Sequence, residues 1–258
     1  MDFERHMQLA VTAAQKGART VRSHFGNISQ IRKKAAEEIV TEADTAAEEQ
    51  IINAIRSDFP EHGILSEERG LSKSGSEYRW IIDPLDGTVN FAHQVPIFSV
   101  SIALSYRDCV VLGVVLDPIN DEIFSAANGQ GARLNGRPIR VSTVTNVRES
   151  LLVSGFPYNV NEVFEPLITR WGNCLRAAQA VRRLGSAALD LCYVACGRFE
   201  GHWEQNLKPW DTAAGALIAA EAGARVTTFS DQPYTIDRDE ILATNGGIHA
   251  QMLGLLQI

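Results

Sequence analysis

The chain has 258 residues, 45% of them apolar, and its 24 basic and 31 acidic side chains give a formal net charge of −7. That apolar content excludes a disordered chain, and no run of residues approaches the roughly 18 apolar positions that a membrane-spanning helix needs. An acidic balance without basic tracts argues against binding to nucleic acid or to anionic membranes.

Cysteine usage and the N-terminus both favour a reducing compartment. The four cysteines form no C-x-x-C motif, and the N-terminal residues show no secretory signal, so a cytoplasmic location is expected. Cys192 and Cys196 would share a helix face and could form half of a thiolate metal site. Two buried thiols that serve as small apolar side chains are the favoured interpretation.

Two helices are predicted at the start of the chain. Apolar residues at helical spacing span residues 3–25. The second helix is predicted to begin between Thr41 and Thr45, where Thr45 and Glu48 have the spacing of a capping box, and to end at Phe59 before a proline.

Strand-like runs rich in β-branched residues follow the two helices. Arg107-Asp108 has the length of a tight hairpin turn, and Asn135-Gly136 is typical of a type I′ turn. Two helices laid on an antiparallel-rich sheet make an α+β arrangement. The predicted strands are 63–66, 78–83, 99–105, 109–117, 132–134 and 138–141.

Strand-like and helical runs alternate in the second half of the chain, which predicts a smaller α/β unit. We see neither a repeat nor a low-complexity linker, so two tightly packed subdomains are expected, residues 1–145 and residues 146–258. The predicted strands of the second unit are 151–154 and 224–228, and the predicted helices are 162–176, 186–195 and 211–222.

The most informative segment is DPLDGTVNF at residues 83–91, which directly follows an apolar strand. Its proline restricts Asp83 and so sets how Asp83 and Asp86 project. Gly87 allows a ligand to approach the backbone closely, and Thr88 can cap a following helix. Carboxylate and carbonyl oxygens suit Mg²⁺, and N–H groups at a helix start suit phosphate. One short segment could therefore hold hard cations and the phosphoryl oxygens that they polarise.

Two further acidic positions fit the same chemistry. Glu67 follows a predicted strand, and Asp211 opens a predicted helix. Taken singly, a solvated loop glutamate and a helix N-cap are the simpler interpretations of these residues. The segment 83–91 is more specific, because a strand, turn residues and paired carboxylates must coincide there.

Three segments resemble the signatures of the inositol monophosphatase family, whose members are Mg²⁺-dependent, lithium-sensitive phosphatases. They are SEE at 66–68, DPLDGTVNF at 83–91 and WDTAAG at 210–215. Their order and spacing match over nearly the whole chain. The resemblance implies a layered αβαβα sandwich, a homodimer and a small phosphate monoester as substrate.

The resemblance also implies a ligand set for roughly two to three Mg²⁺ ions. Asp83 would bridge two ions, and Glu67 would contact the first ion and a weaker third one. The implied ligands are Glu67, Asp83, the carbonyl of Leu85, Asp86 and Asp211.

Further roles are implied for the phosphate and the alcohol part of the substrate. The amides of Gly87 and Thr88 would hold phosphate, and Thr88 with Asp44 and the metal-bound Glu67 would activate the attacking water. The residues that correspond to alcohol contacts are Asp86, Gly185, Ser186, Ala187, Glu204 and Asp211.

Three functions are compatible with these motifs. The favoured one is hydrolysis of myo-inositol monophosphate, or a similar polyol phosphate, by metal-activated water. The second is a histidinol-phosphate phosphatase of the same fold, because Glu204 could pair with an amine. The third, a phosphate-ligand sensor or protein-binding module, is disfavoured because Thr88 and every expected carboxylate are present.

Several other residues have both a functional and a structural interpretation. His93 could be a general acid, but a loop histidine without a catalytic role is favoured. His202 and Trp203 could line the substrate rim or pack inside. Phe164, Leu167 and Trp171 could lie in an interface or in the core, and the core is the favoured interpretation.

Overall fold

The computed structural model describes residues 3–27, 31–33, 39–72 and 74–258. Within these ranges no helix is both long and apolar enough to cross a membrane. The helices are α1 (Phe3–His24), α2 (Glu42–Asp58), α3 (Thr88–Ala92), α4 (Phe164–Ala177), α5 (Ala187–Ala195), α6 (Pro209–Glu221) and α7 (His249–Leu256).

The strands form two large sheets and one small hairpin. The hairpin pairs β1 (Ile31–Lys33) with β2 (Ile39–Thr41). The first large sheet contains β3 (Gly63–Ser66), β4 (Gly70–Ser72), β5 (Tyr78–Asp86), β6 (Ser99–Tyr106), β7 (Cys109–Asp117), β8 (Glu122–Ala127), β9 (Ala132–Leu134) and β10 (Arg137–Pro138). The second contains β11 (Leu151–Ser154), β12 (Ala180–Arg182), β13 (Gly201–Gln205), β14 (Arg225–Thr227) and β15 (Glu240–Thr244).

The two large sheets differ in strand direction. The eight-stranded sheet has the order β10-β9-β8-β7-β6-β5-β3-β4, and its pairs are antiparallel except for β3 with β5. The five-stranded sheet has the order β12-β11-β13-β15-β14. Its first two pairs are parallel and its last two are antiparallel. An antiparallel-rich first sheet is as predicted.

Alternating residues of each sheet separate the helical layers. In β5, Trp80 and Ile82 pack in the core beneath α1 and α2, whereas Ile81 packs in the core with α5 and α6. In β15, Ala243 contacts the α5–α6 layer and Leu242 packs with α7. Because side chains alternate along a strand, each sheet is covered on both faces. The predicted αβαβα layering is confirmed.

The outer helical layer contains α4 and α7, and it shows where the three apolar residues of α4 lie. Leu167 is buried and Trp171 packs against the same outer core as Met252. Phe164 is 49% exposed. The prediction of core packing is therefore correct for Leu167 and Trp171 and wrong for Phe164.

The two predicted hairpin turns are confirmed. Arg107 and Asp108 join β6 to β7 with φ of 49° and 61°, and Asn135 and Gly136 join β9 to β10 with φ of 49° and 77°. Positive φ at both central positions gives a turn whose twist matches its strands. The second hairpin is shorter than expected, because β10 ends at Pro138.

The predicted capping box of α2 is wrong. Thr41 is the N-cap, with its side chain accepting from the N–H of Ala43, and Asp44 is the reciprocal N3 residue. Glu48 instead accepts the backbone N–H groups of Glu68 and Arg69, at 3.1 and 3.2 Å. It thereby anchors the loop that carries Glu67 to α2.

Candidate active site

The end of β5 carries the first two acidic residues of the site. The pairing of β5 with β6 shifts register between Asp83 and Asp86, as expected where Pro84 interrupts a strand. Asp83 and Asp86 are 2% and 8% exposed. The N–H of Leu85 donates to Asp83 Oδ1 at 2.9 Å, which fixes the first carboxylate against its own turn.

Gly87 and Thr88 follow at the start of α3. Gly87 is the N-cap, with φ of +100°, and an added Cβ would lie 3.1 Å from the carbonyl oxygens of Gly185 and Ile97. Glycine is therefore required both by conformation and by space. Thr88 is the first helical residue rather than the predicted cap, and its side chain turns toward a carboxylate instead.

The hydroxyl of Thr88 connects the motif to α2. Thr88 Oγ1 lies 3.0 Å from Asp44 Oδ1 and 3.0 Å from the carbonyl oxygen of Leu85. Asp44 is fully buried and accepts the N–H and the hydroxyl of Thr41, at 2.8 and 2.5 Å. Burial raises the pKa of Asp44, and the hydrogen bonds from Thr41 and Thr88 partly offset that effect.

Four carboxylates repel one another here: Asp83 and Asp86 from β5, Glu67 from the loop after β3, and Asp211 from α6. Burial raises the pKa of Asp83 well above its usual value, and the charges of Glu67, Asp86 and Asp211 raise it further. Burial likewise raises the pKa of Asp211, with Asp86 and Glu67 adding to the effect. A bound cation would therefore favour full ionisation of this group. Its hard oxygen donors fit Mg²⁺.

Asp86 connects the motif to the second half of the chain. Its carboxylate accepts the hydroxyl of Ser186 at 2.5 Å, the N–H of Ala188 at 2.9 Å and the N–H of Ala187 at 3.3 Å. Burial raises the pKa of Asp86, and these bonds lower it in part. The start of α5 is thereby fixed against the end of β5.

Glu204 and Asp211 approach from β13 and α6. Asp211 lies in the first turn of α6 and accepts the N–H of Lys208 at 2.7 Å. Burial raises the pKa of Glu204 to about 8. An added Cβ at Gly155 would lie 2.0 Å from Glu204 Oε1, so the lack of a side chain there leaves room for this carboxylate.

One cavity of about 220 Å³ brings together every predicted site residue except Asp44, which hydrogen-bonds Thr88. It also contains Arg183, Asp190 and Lys208, which the sequence interpretation gave no role. Asp190 could have been noticed as a lone acid in the apolar run of α5. The predicted residues that line the cavity are Glu67, Asp83, Leu85, Asp86, Gly87, Thr88, Gly185, Ser186, Ala187, Glu204 and Asp211.

The remaining candidates lie away from the cavity wall. His93 is exposed just after α3. His202 is fully buried and Trp203 packs in the outer core, so both are interior rather than rim residues. Cys192 is packed in the core with Cys196 at its edge, and burial raises the pKa of both thiols, which agrees with a packing role.

Comparison with known proteins gives matches over the full length of the chain. A model of the inositol monophosphatase family matches residues 2–257. Inositol-1-monophosphatase of Synechocystis sp. is 42% identical over 97% of this chain and 88% of its own length. Nus factor SuhB of Pseudomonas aeruginosa is 41% identical over 90% of this chain and 87% of its own length.

Structural comparison agrees. The inositol monophosphatase of Anabaena (Nostoc) sp. PCC 7120 matches with a TM-score of 0.90 at 40% identity, covering 99% of this chain and 96% of that one. The fold and these relatives define a phosphatase, a hydrolase of phosphoric monoesters. The chain belongs to the inositol monophosphatase family. The family, the fold and the enzyme class predicted from the motifs are confirmed.

Proposed function

We propose that this protein is a Mg²⁺-dependent phosphomonoesterase that hydrolyses myo-inositol monophosphate or a similar polyol phosphate. The observation that carries the proposal is the group of mutually repelling carboxylates Glu67, Asp83, Asp86 and Asp211 beside the Thr88–Asp44 pair. Glu67, Asp83, Asp86, Asp211 and the carbonyl of Leu85 would hold the ions. Bound Mg²⁺ neutralises the phosphate dianion, lowers the pKa of water and stabilises the leaving alkoxide.

Thr88 and Asp44 would orient the attacking water. When the Thr88 hydroxyl donates a hydrogen bond to Asp44, its oxygen lone pairs are free to accept a hydrogen bond from water. Asp44 cannot rotate, because Thr41 also holds it. The backbone N–H groups of Gly87 and Thr88 would contact the phosphate, since Gly87 has no side chain to keep an anion away.

The part of the cavity lined by the start of α5 and by β13 would bind the alcohol. Gly185, Ser186 and Ala187 are held there by the contact of Asp86 with the start of α5. Burial raises the pKa of Glu204 to about 8, so near neutral pH its carboxyl can carry a proton and donate to a hydroxyl as well as accept from one. That property favours a polyol over a cationic amine.

The decisive experiment measures phosphate release from inositol 1-phosphate with and without Mg²⁺, in the wild type and in Asp86→Asn. The proposal expects activity only with Mg²⁺, inhibition by Li⁺ and a large loss in the variant. Metal-independent hydrolysis would contradict it. A comparison of kcat/KM with histidinol phosphate separates the two substrate candidates, since specificity is the ratio of these values.

A second candidate function is binding to a partner protein. The observation that favours it is the 41% identity to a protein named Nus factor SuhB. In this role the chain would act as a protein-binding module or phosphate-ligand sensor beside or instead of catalysis. A pull-down that recovers the same partner with the wild type and with inactive Asp86→Asn would support it. If Asp86→Asn abolished partner binding together with catalysis, the result would contradict this role.

We also propose a cytoplasmic homodimer, as the family resemblance implies. Phe164, Ile168 and Leu175 of α4 are 49%, 41% and 54% exposed and lie at helical spacing, so they form an apolar stripe suited to an interface. Ile168→Glu is expected to shift the sedimenting species toward monomer. Leu71→Glu, at a 55% exposed residue of β4, is the control. A dimer unaffected by Ile168→Glu would place the interface elsewhere.

A further inference from the structure

A second polar group lies between α5 and β13, beside the part of the cavity proposed to bind the alcohol. Asp190 belongs to α5, and His202 and Glu204 are alternate residues of β13, so their side chains leave the same face of that strand. Their exposed fractions are 1%, 0% and 7%. Asp190 and Glu204 line the cavity, which gives the group a route to solvent.

His202 lies between the two carboxylates without bonding to either. Its Nδ1 is 4.0 Å from Asp190 Oδ2, and its Nε2 is 3.8 Å from Glu204 Oε2. Both separations exceed hydrogen-bond distance. One ligand atom from each of the three residues lies within 4.8 Å of the other two.

Four atoms of this group are left without a hydrogen-bond partner in the described part of the chain. They are both carboxylate oxygens of Asp190 and both ring nitrogens of His202. The backbone of Val153 approaches the imidazole and raises the pKa of His202 as a hydrogen bond would, but none of the four atoms has a partner at normal hydrogen-bond geometry. Buried polar atoms are normally paired, so these four atoms are available to bind an ion or a ligand.

The charge and the donor atoms of this group indicate which kind of ligand it would bind. Two buried carboxylates face a histidine whose pKa burial lowers to about 3, and Arg183 is the cation that partly offsets the acids. A bound cation would compensate these acids when they are ionised. One imidazole nitrogen with two carboxylate oxygens suits Zn²⁺ and related transition metals, whereas Mg²⁺ prefers oxygen ligands alone.

We propose that Asp190, His202 and Glu204 form a transition-metal site, with Zn²⁺ as the expected ion, separate from the proposed Mg²⁺ cluster. Bonds of about 2.0–2.2 Å to zinc would draw the three donor atoms together from their present separations. The cavity side would supply a water as a further ligand. Binding displaces protons from the carboxyl groups, since a metal competes with protons for its ligands.

Metal retention tests the site directly. The protein, saturated with Mg²⁺, is incubated with equimolar Zn²⁺, desalted in Mg²⁺ buffer and assayed for both metals by mass spectrometry. The wild type is expected to retain about one Zn²⁺ per chain, because Asp190, His202 and Glu204 together form one site. His202→Gln is expected to retain background zinc only, at an equal Mg²⁺ content. His93→Gln, which changes an exposed histidine after α3, is the matched control and should retain zinc.

Two further measurements separate this site from other zinc binders. Asp83→Asn disrupts the proposed Mg²⁺ cluster but not this group, so it should still retain zinc even where catalysis is lost. Co²⁺ in place of Zn²⁺ should give a visible d–d absorption that disappears in His202→Gln, without the thiolate charge-transfer band that cysteine ligands would produce.

His202→Phe, which keeps an aromatic ring at the position, serves as the second variant, and circular dichroism verifies that both variants fold. The proposal is overturned if the desalted wild type holds no zinc, or if the folded His202 variants hold as much zinc as the wild type.

Discussion

Asp83 has Glu67, Asp86 and Asp211 as charged neighbours and is almost completely buried. In the metal-free protein, ionisation of this group costs folding free energy, because burial and repulsion both oppose it. The same negative charge is what binds a cation. Single acidic residues therefore influence stability and activity in opposite directions.

Asp83→Asn makes that opposition measurable. The amide keeps an oxygen that can accept the Leu85 N–H but removes a negative charge. We expect the metal-free variant to be more stable than the metal-free wild type by about 1 kcal/mol, a rise in Tm of roughly 2–4 °C for a chain of this size. Phosphatase activity should fall by roughly 10²–10³-fold.

Thermal unfolding in EDTA and phosphate release in Mg²⁺ provide the two readouts. Asp108→Asn, at an exposed residue of the β6–β7 turn, should change neither appreciably. If the metal-free Asp83→Asn protein unfolds at a lower temperature than the metal-free wild type, repulsion does not dominate at this position.

Thr88 allows the hydroxyl to be tested apart from the shape of the side chain. Thr88→Val removes the contacts to Asp44 and to the Leu85 carbonyl, whereas Thr88→Ser keeps the hydroxyl. We expect a loss in kcat of roughly 10²-fold or more for valine, as for removal of a group that assists proton transfer. Serine should retain most of the activity. Equal loss in both variants would indicate that the methyl group, not the hydroxyl, matters.

At the scale of elements, the contact of α6 with the first sheet is unusually close. An added Cβ at Gly113 of β7 would lie 2.8 Å from the carbonyl oxygen and 2.9 Å from the Cα of Ala214 in α6. These are backbone atoms, which cannot rotate away as a side chain can. Because α6 also carries Asp211, this contact helps to set how far the helix stands from β5.

Gly113→Ala is therefore expected to destabilise the protein by about 1–3 kcal/mol, the usual cost of overpacking. Gly254→Ala is the matched control, since nothing lies within 4 Å of its added Cβ and it belongs to α7. That change should stabilise slightly, by up to about 1 kcal/mol from helix propensity. Urea unfolding measures both, and a neutral Gly113→Ala would show that α6 can shift at little cost.

The N-terminus of α2 shows a local sequence pattern overridden by a contact between elements. The spacing of Thr45 and Glu48 satisfies the local rule, but Glu48 binds the loop at Glu68 and Arg69. The box forms one turn earlier, from Thr41 and Asp44. A local pattern was overridden because a distant loop offered two N–H donors to the same carboxylate.

For the whole molecule, raised pKa values determine how stability depends on pH. A group whose pKa is raised by folding stabilises below its unfolded pKa, and that contribution is lost as pH rises through the folded pKa. For Glu204 this window runs from about 4.5 to about 8, and Asp83 and Asp211 shift in the same direction. Mg²⁺ opposes the loss, since it binds the ionised carboxylates.

We therefore expect the gain in Tm from Mg²⁺ to increase between pH 5 and pH 8. At a free Mg²⁺ concentration a hundredfold above Kd, the gain corresponds to about 2.7 kcal/mol. The difference between Mg²⁺ and EDTA cancels titrations elsewhere, such as that of His62, whose pKa burial lowers to about 4. Differential scanning fluorimetry across pH provides the measurement. A gain that does not depend on pH would contradict metal binding by these carboxylates.

The features of this protein that can be predicted from the sequence are those whose geometry is local. In Asp83-Pro84-Leu85-Asp86-Gly87-Thr88 the covalent order places two carboxylates, a carbonyl and a helix start within six residues. Turn residues such as Asn135 and Gly136 act through their own φ angles. Backbone rules of this kind hold wherever the segment lies in the fold, so these turns could be predicted from the sequence, and the resemblance of the three motifs to known signatures predicted the family.

The contacts between groups from different elements depend on the tertiary fold. Asp86 contacts Ser186, 100 positions further along the chain, and Asp190 of α5 comes to lie beside His202 of β13. Nothing in the sequence around either residue specifies its partner. Those encounters depend on how the sheets and helices stack, and the stacking is set by the burial of apolar faces along the entire chain.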